Sequence, residues 1–112
     1  MPRMRILSTV EQELFETPPV FNSIQRKQFF VFSDVLLEAA ASMRKSTNRI
    51  GFLLSSGYFK VTKRFFAPKD YHLRDIEYVA RRLELTGEAF EPDDDAEATR
   101  LRHQHLILEY YG

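Results

Sequence analysis

Arg44–Phe66, reading RKSTNRIGFLLSSGYFKVTKRFF, decides the fold of this chain. From Thr47 to about Phe59 apolar residues recur at helical spacing on two sides at once. Ile50, Leu53, Leu54, Tyr58 and Val61 form one stripe, and Phe52 and Phe59 fall opposite. A helix that is apolar on both sides is central in its domain, because neither face can be left in water. Ser46 and Thr47 supply a helix-start signal ahead of it. Arg44, Lys45 and Arg49 bracket the segment on one side, and Lys60, Lys63 and Arg64 on the other. Lys60–Phe66 reads as loop or short strand, ended by Pro68.

The flanking sequence supplies shorter helices to surround it. Ser8-x-x-Glu11 is a capping box opening a helix to about Phe15, with Leu7 placed as a hydrophobic staple. Pro18-Pro19 forces an extended turn. Asn22-x-x-Gln25 is a second capping box, leading a helix to about Val31. Ser33 or Asp34 caps a helix to about Arg44, with Val35, Leu36, Ala39, Ala40 and Met43 as its apolar stripe. Beyond the central helix, Asp70 caps a helix over His72–Leu85 that buries Leu73, Ile76, Val79, Ala80 and Leu83. Its other face carries Arg74, Tyr78, Arg81 and Arg82. Thr86-Gly87 breaks it. Pro92 and Asp93–Asp95 lead into a last helix from about Ala96 to Tyr111, whose acidic start suits the helix dipole. The expected fold is all-α, a compact bundle of five to six short helices forming one domain over residues 1–112.

Composition narrows the function classes. Hydrophobic residues at 44% and charged residues at 29% exclude a disordered chain. With no cysteine there is no disulfide and no thiolate chemistry. No stretch approaches the roughly 20 apolar residues of a membrane span, so a cytoplasmic protein without a membrane partner is expected. The net charge of zero hides an asymmetry. Between Arg44 and Arg82 stand ten Lys and Arg against Asp70, Asp75 and Glu77, whereas Glu84–Glu97 holds seven acids and no base. A basic middle followed by an acidic block suits one face for a polyanion and another turned away from it, although both patterns also arise as solvated helix faces.

No catalytic constellation stands out. The glycines at 51, 57, 87 and 112 build neither a Walker loop nor a dinucleotide fingerprint. His103 and His105 point about 200° apart on a helix, not the i, i+4 pairing that zinc favours. No metal or cofactor is expected. The nucleic-acid pattern is stronger. The helices on either side of Lys45-Ser46 are spaced like a helix-turn-helix, which puts Asn48 and Arg49 at the start of the second one. Asn and Arg pair bidentately with adenine and guanine edges, and a helix N-terminus with a cationic rim attracts phosphate. Candidate DNA-binding residues are therefore Arg44, Lys45, Thr47, Asn48, Arg49, Lys60, Lys63 and Arg64, with Arg74, Arg81 and Arg82 on the later helix as an alternative groove-facing surface. Arg3 and Arg5 form a basic N-terminal arm suited to a minor groove.

Several blocks taken together resemble a known family. They are Met1-Pro2-Arg3 with Ile6-Leu7-Ser8 and Glu11; Asn48-Arg49-Ile50-Gly51-Phe52; Gly57-Tyr58-Phe59-Lys60 with Lys63-Arg64-Phe65-Phe66; Arg74-Asp75-Ile76-Glu77-Tyr78-Val79-Ala80; and Thr99-Arg100-Leu101-Arg102-His103-Gln104. In register and order they are similar to the N-terminal domain of class II, replicative transposases of the Tn-three type, which are bacterial. The resemblance implies a DNA-binding module that recognises transposon terminal inverted repeats during DNA transposition and recombination. It also implies a much longer protein whose metal-dependent Asp-Asp-Glu catalytic domain lies C-terminal, so this piece is expected not to be an enzyme. Leu53 stands where many members carry Ala, and Thr62-Lys63-Arg64 where they carry a Pro-Gly-Arg turn, which marks a divergent branch. Implied partners are double-stranded DNA at the transposon ends and the remaining domains of the same protein. The apolar C-terminal helix (Leu101, Ile107, Leu108, Tyr111) offers the competing role of an interaction domain that docks those domains or a second copy as a homodimer.

Overall fold

The structure, a computed structural model, describes residues 17–92 and 97–111. Among them are five α-helices: α1 (Ser23–Phe29), α2 (Asp34–Ala41), α3 (Ser46–Thr62), α4 (Leu73–Arg82) and α5 (Glu97–Tyr111). Short 3-10 turns lie at Pro68–Asp70 and Gly87–Ala89, and no strand occurs among the described residues. The fold is an all-α bundle. The expected helix from Ser8 to Phe15, the Arg3–Arg5 arm and the Asp93–Asp95 cap lie outside the described residues.

Local chemistry sets the starts of α1 and α2 as anticipated. At α1 the capping box is complete: Asn22 Oδ1 accepts from Gln25 N at 2.8 Å, and Gln25 Oε1 accepts from Asn22 N at 2.9 Å. At α2 Ser33 Oγ accepts from Leu36 N. At α3, by contrast, Ser46 and Thr47 lie inside the helix, and Lys45 is an N-cap without a side-chain cap bond. Thr47 has another task, described below. His72, not Asp70, is the N-cap of α4, and Asp70 sits in the preceding 3-10 turn.

Helix ends depart further from expectation. α2 stops at Ala41 rather than Arg44, where Ser42 Oγ donates to Ala39 O at 2.7 Å and so competes with continued helix. Lys60–Phe66 is not loop or strand at its start, because α3 runs on through Thr62. It closes on Lys63, whose φ of 61° is left-handed and whose N–H donates to Phe59 O at 2.8 Å. α4 ends at Arg82 instead of Leu85, with Glu84 at φ 60° turning the chain away. Three positions assigned to buried stripes, Val35, Val61 and Leu73, are exposed.

As its two-sided apolarity requires, α3 packs against α1, α2, α4 and α5. Ile50, Phe52, Leu53, Leu54 and Tyr58 are fully enclosed, together with Phe30, Val79 and Ile107. Tyr58 is the hub of the aromatic core, with ring centroids of Tyr71, Phe30, Phe21 and Phe66 within 5.4 to 5.9 Å. Phe30 reaches α3 only because residue 57 is glycine: a Cβ there would lie 2.2 Å from Phe30 Cδ1 and Cε1.

One carboxylate lies inside this core. Asp75 is 0% exposed and accepts from Arg26 Nε at 2.7 Å through Oδ1 and from the Tyr58 hydroxyl through Oδ2. Arg26 also donates from a terminal nitrogen to Phe21 O at 2.8 Å. Three helices, α1, α3 and α4, thus meet on one buried charge. Removing the carboxylate strands a guanidinium and a hydroxyl in the interior, so Asp75→Ala should lower unfolding stability by about 3–5 kcal/mol. Equilibrium urea unfolding checks this; a loss below about 1 kcal/mol, the scale of a surface pair, would show that the core does not depend on the network.

Candidate nucleic-acid interface

The sequence-predicted basic residues fall into three separate groups. The first surrounds the start of α3. Arg44 and Lys45 are exposed in the turn between α2 and α3. Thr47 is buried, and its hydroxyl donates to Glu91 O at 3.2 Å while accepting from Glu91 N at 2.9 Å. That pair ties α3 to the segment leading toward α5. Arg49 is half-buried and its Nε donates to Met43 O at 2.7 Å, which closes the α2–α3 turn. Asn48 is half-buried, and its side-chain amide has no hydrogen-bond partner among the described residues. Thus Thr47 and Arg49 hold the turn in shape, while Asn48 keeps its donors and acceptor unengaged.

The second group lies at the other end of α3, about 24 Å away at 1.5 Å per residue. Lys60, Lys63 and Arg64 are exposed there. The Lys63 ammonium stands 5.7 Å from the Phe59 ring centroid and 5.8 Å from that of Tyr111, so it also fastens the end of α5 to α3. Between the two groups α3 is buried from Phe52 to Leu54 and from Ser56 to Phe59. It therefore offers a polyanion its ends and not its length.

The third group is on α4. Leu73, Arg74, Glu77, Arg81 and Arg82 are exposed, and they run the whole length of the helix. Arg74 and Arg81 face a cleft of about 260 Å3 shared with Glu77, Tyr78 and Arg26. Arg26 is committed to Asp75, so Arg74 and Arg81 carry the positive potential against Glu77. Neither makes a hydrogen bond or ion pair with another described residue.

Of the polar residues buried by the fold, Ser56, Asp75 and His103 were not read as buried from sequence. A signal was present for Asp75 and His103. Asp75 stands four residues before Val79, and His103 four before Ile107, so each lies in register with the buried stripe of its helix. His103 is 6% exposed and meets Phe52 edge-on at 5.4 Å. Burial, assisted by the neighbouring Arg102 charge, pushes its imidazole down to about 4. No group of His, Asp and Glu among the described residues is arranged to hold a metal ion. No described helix is long and apolar enough to cross a membrane.

Residues 6–112 match the family described as Domain of unknown function (DUF4158), a domain associated with transposases, and the chain belongs to that family. No curated protein and no solved structure matches the chain.

The His103 environment has a defined pH consequence. Above pH 6.5 the imidazole is neutral in both folded and unfolded chains, and its contribution to stability is complete. As pH falls from 6.5 toward about 4, the unfolded chain takes up a proton that the folded chain refuses. Stability should therefore drop across this window by on the order of 3 kcal/mol. Urea unfolding at a series of pH values should show that part of the slope missing in His103→Gln. The same slope in both proteins would overturn the assignment.

Proposed function

We propose that this chain is the end-recognition module of a Tn-three-type replicative transposase, binding the terminal inverted repeats of its transposon as duplex DNA. Cleavage and joining would then belong to a metal-dependent Asp-Asp-Glu domain elsewhere in a longer cytoplasmic protein, consistent with the family's association with transposases. The observation that carries the reading is the α4 face, where Arg74, Arg81 and Arg82 stand exposed with no described acid paired to them. A ten-residue helix with one face exposed along its length can follow a phosphate backbone. The α2–α3 pair, joined by the turn Ser42–Lys45, serves as the helix-turn-helix-like element, with only its first turn available to bases. There Asn48 is the best-placed reader, and Arg44, Lys45, Lys60 and Arg64 are phosphate contacts.

Fluorescence anisotropy with the element's terminal repeat and a scrambled duplex, over a salt series, tests this. Arg74→Ala/Arg81→Ala should weaken both duplexes alike and reduce the salt slope by about two. Asn48→Ala should cost about 1–3 kcal/mol on the repeat and little on the scrambled duplex. An unchanged salt slope in the double variant would remove α4 from the interface, and equal affinity of the wild-type chain for both duplexes would remove sequence reading.

A second reading, a docking domain, is favoured by α5. Leu101, Leu106, Leu108 and Tyr110 are exposed on it, with Val35 of α2 beside Leu106 and Tyr110 across a shallow apolar groove. Sedimentation velocity separates the two. A DNA module is expected to remain monomeric until duplex is added, whereas self-association abolished by Leu101→Lys/Leu108→Lys would establish α5 as a contact between copies.

A further inference from the structure

A cavity of about 460 Å3 opens between the first turn of α3, the α2–α3 turn and α5. Its lining includes Met43 and Leu106, the half-buried Asn48 and buried His103, and the exposed Arg44 and Arg102. Volume of this order is that of a small-molecule site, generally 300–1,000 Å3.

Among the described residues, His103 and Asn48 have no hydrogen-bond partner. His103 is more than nine-tenths buried, and neither ring nitrogen has a hydrogen-bond partner among the described residues; its contact with Phe52 is edge-on and apolar. The Asn48 amide is likewise unengaged, although the neighbouring Thr47 and Arg49 side chains are both bonded. Buried polar groups in folded proteins are normally satisfied, and one left open in a cavity calls for an occupant.

The arrangement of charge says what kind. Its buried part is neutral, because Asn48 is an amide and burial holds the His103 imidazole uncharged near neutral pH, while the two lining cations, Arg44 and Arg102, are exposed. A free inorganic anion would engage the two arginines alone. A ligand with a flat, neutral, donor-and-acceptor body and an anionic end satisfies both regions, with Met43 and Leu106 against its faces. Asn pairs bidentately with adenine N6 and N7, and neutral His supplies one donor and one acceptor.

We propose that this cavity binds a single nucleotide, its base directed to Asn48 and His103 and its phosphate held by Arg44 and Arg102. The source is either an unstacked nucleotide of bound DNA or a free one; the first rests on the end-recognition reading, and the second does not.

NMR of the 112-residue chain tests the site directly. Deoxyadenosine monophosphate should shift the His103 Hε1 and Asn48 side-chain amide signals, while deoxyribose 5-phosphate and inorganic phosphate at equal concentration leave them in place. Arg102→Ala should weaken that binding on the order of tenfold, as loss of a charge-assisted contact does, with the other core signals unmoved to show that the variant is folded. A terminal-repeat duplex carrying 2-aminopurine then distinguishes the sources: a fluorescence rise on binding marks an extruded base, and mononucleotide binding without a rise marks a free nucleotide. Equal shifts with inorganic phosphate would overturn the proposal, as would unmoved His103 and Asn48 signals with both mononucleotide and duplex. If the duplex binds while those signals stay fixed with both ligands, the cavity assignment falls together with Asn48 as a base reader, and duplex binding through α4 stands. Where the mononucleotide binds but no duplex does, the end-recognition reading falls and the cavity assignment stands.

Discussion

Asp75 sits at the point where α1, α3 and α4 converge, and its carboxylate is reached by Arg26 from one side and Tyr58 from another. A charge enclosed in an aromatic core is tolerable only with its partners in place, because desolvation of an unpaired ion exceeds what packing returns. This condition fixes more than one contact. Arg26 must present its Nε from α1 while also bonding Phe21 O, which pins the chain entering that helix. Tyr58 must stand at the centre of α3 with its hydroxyl toward α4. Burial and the bond to Asp75 push the pKa of its hydroxyl well above the usual phenol value, keeping it a donor. The aromatic rings that surround Tyr58 then pack around an already oriented side chain.

The same centrality of α3 determines where function can reside. A helix enclosed through its middle cannot lie along a groove of DNA, so the basic residues at its ends are separated into two patches. The exposed length belongs to α4, whose inward side is anchored by Asp75, Ile76, Val79 and Ala80 and whose outward side carries Arg74, Arg81 and Arg82. One helix is therefore both the mount of the buried network and the carrier of the cationic face. Any ligand held by Arg74 and Arg81 rests on an element that the core holds rigidly, which favours geometric precision in binding.

Much of the framework was legible. The capping box at Asn22 and Gln25, the amphipathic pattern of α4 and the central place of α3 are consequences of spacing, and spacing is visible in a linear chain. Helix ends were less so. Thr47 has the chemistry of a cap but bonds to Glu91, which lies far along the chain and near only after folding. Lys63 adopts a left-handed cap, a conformation that glycine favours and lysine does not announce, and the contacts of its ammonium with Phe59 and Tyr111 accompany it.

For the candidate site, sequence named polar and basic residues at the start of α3 but could not tell which were already engaged. Thr47, Asn48 and Arg49 are neighbours that can all donate hydrogen bonds, and nothing local says which will find a partner. Folding gives Thr47 and Arg49 backbone partners and leaves Asn48 lining a cavity with His103, which α5 brings alongside it. The sequence by itself determined an all-α bundle around one doubly apolar helix, because helical periodicity and capping act over a few residues. Which polar groups are buried, paired or left open was decided only by the tertiary structure, because desolvation and hydrogen bonding depend on what distant segments bring to the same place.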